Sequence, residues 1–199
     1  MLAPDSRSRR ALELAADFLL LSLLWLLASA PIVTLLPATA ALFGVVRDRV
    51  CEQEPPEIGR FFALFRENFA QSLQVGGGWL ALGLLLAANA YLATQMTWGI
   101  RYPALLVIAV VGLLYVAMTP YLFPVLVHYG TNATGVIRLA FATALNQPAS
   151  TLLATTLLLL FVGLCLVVPG FLLAGSVVAQ LLYRICDRAF RRMGLVTAD

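Results

Sequence analysis

Long apolar runs separated by short polar stretches make up most of this chain. Residues 18–46, 68–100 and 139–183 carry no Asp, Glu, Lys or Arg. Each run exceeds the roughly 20 residues a helix needs to span a bilayer. Prolines and small polar groups cut two stretches, "LLASAPIVTLLPATAAL" at 26–42 and "VVPG" at 167–170. One helix over 12–48 would be about 55 Å long, well beyond the bilayer core. The first cut therefore reads as a hairpin turn between helices at about 11–30 and 32–48. Pro31 sits near the first position of the second helix, where proline is tolerated. The shortness of 32–48 and its Thr34 and Thr39 leave a re-entrant segment as the alternative.

After the polar loop "CEQEPP" at 51–56, Phe61, Phe62, Phe65 and Phe69 recur at helical spacing. Arg66, Glu67, Asn68 and Gln71 fall elsewhere on the wheel, so 57–71 reads as an amphipathic helix at the membrane interface. It feeds a spanning helix at about 72–97, an outer turn at "RYP", 101–103, and a return crossing at 103–128. A second interfacial helix is expected at 133–146, then segments at 150–168 and 170–184. "IRLAFATALNQPAS" at 137–150 resembles the stretch at 58–72, near an offset of 78 residues. That suggests a weak internal duplication, parallel rather than inverted. The fold class is all-α: one integral membrane domain over 1–199, a helical bundle of five to six membrane segments.

Composition and charge turn that pattern into an orientation. The chain is 61% hydrophobic, 12% charged, and has a mean hydropathy of +0.92, too apolar for a soluble domain of 199 residues. The 13 basic residues are all arginine and sit at the ends of apolar runs, so the net charge of +3 is no nucleic-acid signal. Basic residues collect on the cytoplasmic side. Arg7, Arg9 and Arg10 put the N-terminus inside, and Arg47, Arg49, Arg60 and Arg66 demand an even number of crossings before them. Arg184, Arg188, Arg191 and Arg192 are inside if 149–184 is a hairpin, which makes six segments; a single kinked helix makes five. Arg101 is the one charge placed outside. The first run shows no cleavage site and is expected to act as an uncleaved anchor.

The elements "ADFLLLSLLWLLASAPIVTLLPATAAL" at 16–42 and "FFALFRENFAQS" at 61–72 resemble the YesL-like family of bacterial integral membrane proteins, a domain of unknown function. The resemblance is specific over about 60 of the 199 residues; beyond residue 75 it is a similar layout of apolar runs. Leu36-Pro37 departs from the family, which more often has a small, glycine-containing stretch there. The resemblance implies membrane embedding and a frequent neighbourhood with genes for carbohydrate uptake; it implies no established activity.

Candidate chemistry is sparse. With one His, a two-His zinc pattern cannot form, and no metal or other cofactor is expected. There is no GxSxG motif, and Ser176 has no acid or base near it in sequence. Cys51, Cys165 and Cys186 read as free thiols, and the "NAT" sequon at 132–134 falls on the cytoplasmic side. Arg9, Glu13 and Asp17 form an i, i+4, i+8 ladder entering the membrane. Asp17 is its deepest acid, a functional candidate or a salt-linked structural one. Asn68, Gln71 and Ser72, with Arg60 and Arg66 on the same helix, suggest a docking face or interhelical bonds. Asn89 is the amide at bilayer depth, glue or pathway. His128 ends its helix, where a protonated ring is favoured. Gly76, Gly77, Gly78, Ala81 and Gly83, and Gly170, Ala174 and Gly175, are expected at close helix contacts. Pro120 and Pro124 break the fourth helix.

With catalytic groups sparse, the resemblance implies a non-enzymatic accessory component associated with carbohydrate uptake, with the lipid bilayer and a carbohydrate transporter complex as partners and a homo-oligomer left open. A small permease or channel for a neutral solute would instead use Asp17, Asn89 and the proline break. A lipid-binding protein would use Arg60 and Arg66.

Overall fold

The computed structural model describes residues 6–51, 58–130 and 132–192; the loop read at 51–56 lies outside them after Cys51, as do the side chains of Arg7, Arg9, Arg10 and Glu13. The described residues are helical, with no strand among them. In chain order the helices are α1 (Ser6–Ala28), α2 (Leu35–Cys51), α3 (Ile58–Glu67), α4 (Phe69–Thr94), α5 (Trp98–Met118), α6 (Leu122–Tyr129), α7 (Ala133–Asn146), α8 (Pro148–Val167) and α9 (Gly175–Arg192). Among the described residues, four segments are long and apolar enough to cross a membrane: Phe69–Thr94, Gly99–Tyr129, Pro148–Val167 and Pro169–Arg192. The apolar part of α1, Leu14–Ala28, is shorter. This is a membrane protein.

The first proline cut is a hairpin, as expected. Pro31 leads into a short 3-10 turn at Ile32–Thr34, and Pro37 falls at the third position of α2, where its missing N–H costs no helical bond. Thr34 Oγ1 lies 2.7 Å from the carbonyls of both Ala28 and Pro31. It thereby satisfies acceptors that the turn frees, as lipid surroundings demand. α1 and α2 run antiparallel: Trp25 donates to Thr39 Oγ1 at 3.2 Å, while Asp17 meets Arg49 toward the far end.

Three boundaries differ from the sequence reading. The turn after α4 is at 95–97, and "RYP" lies inside α5. Pro103 lies in the second turn of α5, where it leaves the Gly99 carbonyl without its usual donor one turn later. The last helix continues past 184 to Arg192, its arginines on an exposed side and Leu182, Tyr183, Cys186 and Phe190 on the buried one. α3 and α4 are nearly continuous, so the spanning helix starts at Phe69 rather than 72. Asn68 breaks the pair, yet its N–H still reaches Leu64 O at 3.0 Å and its carbonyl takes Ser72 N–H at 2.8 Å.

The proline break is a packed joint. Thr119–Tyr121 forms a 3-10 turn between α5 and α6, with Pro120, Tyr121 and Pro124 all buried. Pro124 cannot donate to Pro120 O one turn earlier, and the Cys186 thiol stands 3.9 Å from that carbonyl instead. Gly130 closes α6 in the left-handed conformation, φ 54°, the usual role of glycine after a helix.

α2, α6 and α9 form the centre of the bundle. Their buried faces supply most of the core, including Ala40, Ala41, Val46, Val125, Leu126, Tyr183 and Phe190. α2 and α6 pack parallel, each residue near its counterpart 80 positions on: Phe43 stacks on Phe123 at 6.3 Å, and one turn later Arg47 reaches the Val127 carbonyl. Around them α4, α5 and α8, the long apolar helices, leave leucines and valines exposed along their outer sides. Short polar bonds tie the layers. Ser22 and Ser176 hydroxyls meet at 2.7 Å, Tyr121 and Thr151 at 3.0 Å, and Trp79 donates to Thr119 Oγ1 at 3.1 Å.

The glycines expected at contacts divide. A Cβ on Gly83 would stand 2.5 Å from Tyr115 Oη, so that close approach requires glycine; one on Gly77, Gly78 or Gly170 would meet nothing within 4 Å. α7 keeps its expected bounds, but its outer side bears Ile137, Phe141 and Leu145. It is apolar on both sides rather than amphipathic.

Candidate functional site

Polar groups gather where α2, α6 and α9 end or pass, beside the start of α3. Asp48, in the last turn but one of α2, anchors this arginine-rich end. It is 4% exposed. Its Oδ1 accepts from Arg47 Nη2 at 2.6 Å and Nε at 2.9 Å, and its Oδ2 accepts from Arg60 Nε of α3 at 2.8 Å. Arg47 Nη1 donates to the Val127 carbonyl in the last turn of α6, where a helix presents its partial negative charge. One carboxylate and two guanidinium groups thus join α3, α2 and α6. A buried carboxylate persists because charged donors meet both of its oxygens.

An aromatic cluster lies next to it. His128 Nδ1 is 2.9 Å from Tyr183 Oη, and Tyr183 Oη is 3.6 Å from Cys51 Sγ. Tyr129 and Phe190 pack edge to face at 5.6 Å, with His128 against both rings. Asp187 Oδ2 accepts from Arg191 Nε at 2.9 Å, while its buried Oδ1 and the Tyr129 hydroxyl have no partner among the described residues.

The expected site residues separate in this geometry. Arg60 and His128 meet at the arginine-rich end, through Asp48, Arg47 and Val127. Asp17, about half-exposed at the α1–α2 contact, faces Arg49 Nη2 at 3.5 Å, and that guanidinium also lies 4.4 Å over the Phe18 ring. Its ladder partners Arg9 and Glu13 have side chains outside the described set. Arg66 is exposed on α3. Asn68 Nδ2 donates to Leu64 O at 3.0 Å, a bond within its own kink. Asn89 is not in the bundle interior: it lies exposed on the outer side of α4, with Nδ2 on Leu85 O at 2.8 Å. A carbonyl one turn back satisfies half of the amide, which lets it face outward. Ser176 Oγ is held by Phe18 O at 2.8 Å and by Ser22, a helix-to-helix tie.

Asp48, Arg47, Tyr183 and Asp187 escaped the sequence reading. The available signal was the two acids inside arginine clusters otherwise used for orientation, Asp48 in Arg47-Asp48-Arg49 and Asp187 between Arg184 and Arg188.

Cavities lie at other levels. An apolar groove of about 750 Å³ runs between α1 and the turn before α9, lined by Phe18, Leu19, Phe171 and Val177 among others. A polar cavity of about 400 Å³ opens between the start of α4 and the start of α7. A further apolar one of about 330 Å³ lies between α4, α5 and α7. Among the described residues no group of three or more His, Cys, Asp or Glu stands close enough to hold a metal. The site's own chemistry is ion pairing and hydrogen bonding that fix helices to one another.

Relatives give this architecture a family. Residues 18–90, from α1 to most of α4, match the family described as "Protein of unknown function, DUF624". The chain is 31% identical over 180 residues to the uncharacterized protein YesL of Bacillus subtilis, covering 87% of this chain and 84% of YesL. It is 29% identical over 164 residues to the uncharacterized protein YteU of the same organism, 78% of this chain and 72% of that one. The uncharacterized protein YesV matches at 30% over 94 residues, 47% and 45% of the two chains. Likeness therefore runs well past residue 75. No solved structure matches. The chain belongs to the YesL-like family, DUF624.

Proposed function

We propose that this protein is a non-enzymatic accessory component of the bacterial cytoplasmic membrane, acting beside a carbohydrate uptake system through the surface of α3. The observation that carries the reading is the mounting of α3. Arg60 bonds the buried Asp48 at 2.8 Å, and Phe61 and Leu64 sink into the core at 0% and 3% exposure. The other side of the helix, with Ile58, Phe62 and Arg66, stays exposed. A short helix fixed on one side and bare on the other, mixing aromatic, aliphatic and arginine side chains, has the composition that interface cores favour. The carbohydrate association rests on the gene neighbourhood that the family resemblance implies.

In this reading the arginine-rich end is cytoplasmic. α1, α2, α4, α5 with α6, α8 and α9 are six transverse segments, both termini lie inside, and α3 rests at the interface. The parallel packing of α2 on α6, with an offset of 80 residues, supports the internal duplication. So does the matching use of Ser72 and Thr151, which bond back to Phe69 O and Gln147 O. Ser176 is held on Phe18 O and His128 on Tyr183, helix-to-helix ties that fit a non-enzymatic protein. Asn89 on the outer side and Asp17 against Arg49 tell against a solute path that would use both.

The test is a tagged pull-down from native membranes in mild detergent. Stoichiometric recovery of the permease or ATPase of a carbohydrate transporter, lost in the double variant Phe62→Ser with Arg66→Glu, supports the docking role. Retention of the partner by that variant, or recovery of the protein alone, overturns it.

A further inference from the structure

The crevice between α4 and α7 holds two cavities, one above the other. Toward the arginine-rich end lies the polar one of about 400 Å³, lined by Gln71 and Gln74 of α4 and by Gly130, Asn132, Ala133 and Thr134 at the start of α7. Farther along α4, about 7.5 Å from Gln74 to Trp79 at ~1.5 Å per residue, lies the apolar one of about 330 Å³. Trp79, Leu82, Tyr115, Met118, Ile137 and Phe141 line it. Arg138 stands between them on α7, one turn after Thr134. It lines the apolar cavity although that lining is wholly apolar. Its methylene stem therefore meets the cavity while its guanidinium lies outside, as arginines do at a membrane boundary.

Four features bear on what fills the crevice. Arg138 is exposed and has no hydrogen bond or ion pair to any other described residue. No acid occurs in the sequence between Glu67 and Asp187 to neutralise it, and Asp187 is taken by Arg191. Its neighbours Ile137 and Phe141 are 41% and 43% exposed on the outer side, so the charge sits beside an apolar, lipid-facing surface. The start of the 14-residue α7 adds unpaired N–H groups, since its N-cap Asn132 makes no side-chain capping bond.

We infer that this crevice binds one anionic phospholipid with a hydroxyl-bearing headgroup, of the phosphatidylglycerol class. The phosphate sits against Arg138 and the first N–H groups of α7. The headgroup hydroxyls meet Gln71, Gln74, Asn132 and Thr134, groups that both donate and accept. An acyl chain lies against Trp79, Tyr115 and Phe141. This site is separate from Arg60 and Arg66 and stands whatever α3 docks on.

Native mass spectrometry and melting of the detergent-purified protein, with phosphatidylglycerol or phosphatidylcholine of identical chains, tests the site. Wild type is expected to retain phosphatidylglycerol preferentially and to melt higher in its presence. Arg138→Gln is expected to lower that retention about fivefold, the effect of one basic residue near an anionic surface, with an unchanged lipid-free melting temperature. Arg66→Gln leaves retention as in wild type. Equal retention of the two lipids by wild type, undiminished retention by Arg138→Gln, or equal protection by glycerol phosphate without acyl chains overturns the inference.

Discussion

Removal of the Asp48 carboxylate probes the joint on which the arrangement of α2, α3 and α6 depends. In Asp48→Ala the Arg47 guanidinium, whose side chain is 22% exposed, keeps only the Val127 carbonyl. Hydrogen bonds to a charged group contribute about 1.5–3 kcal/mol, so the Arg47 side of the joint accounts for about 2 kcal/mol. Arg60 is 41% exposed, and water screens it, which limits its share to about 1 kcal/mol or less. The sum of about 3 kcal/mol matches the lower range for stripping one partner from a buried pair. At roughly 2–4 °C per kcal/mol for a chain of this size, melting falls by about 6–12 °C. The assay is the fraction of a fluorescent fusion that still elutes as a monodisperse peak after heating in detergent. Arg60→Ala, which leaves Asp48 paired to Arg47, should fall by less than about 4 °C. If Asp48→Ala melts within about 2 °C of wild type, the carboxylate does not hold the helices together and the reasoning fails.

The other predictions address packing, orientation and exposure. Gly83→Val drives a side chain into Tyr115 and should destabilise by about 1–3 kcal/mol, while Gly77→Val, with open space around it, should melt like wild type; equal effects would refute the assigned α4–α5 contact. Asn89→Leu should leave melting and monodispersity unchanged, because the amide bonds only its own helix, and a large loss of stability would mean that the outer side of α4 is covered. In a Cys165→Ser background, a membrane-impermeant maleimide should modify the exposed Cys51 but not the buried Cys186, in inverted vesicles and not in intact cells; labelling in intact cells would reverse the proposed orientation.

Much of the helix pattern follows from the sequence because it is a matter of chain chemistry. Charge-free runs, prolines at the first or third position of a helix, and glycine after His128 and Tyr129 define where helices start and stop. The pattern is weaker at Pro103, which reads as a turn and lies inside α5. Arginines at the ends of runs mark one end of the bundle with no tertiary information.

Only the tertiary structure decided which faces are inside. In water, a stripe of apolar residues tells the core from the solvent, but lipid is as apolar as the core, so α5 and α8 have no stripe to read. The long apolar helices α4, α5 and α8 turned out to be outer ones, and the centre went to α2, α9 and the equally apolar α6. Two of these are short, and all carry small or polar groups that permit close approach or need shelter. Asn89 faces outward and Asp48 inward for the same reason: each polar group goes where its hydrogen bonds can be met, the amide by its own helix and the carboxylate by arginines from two. Arg47 is its neighbour in the chain, but Arg60 and the Val127 carbonyl meet this joint only once α3 and α6 have packed on α2.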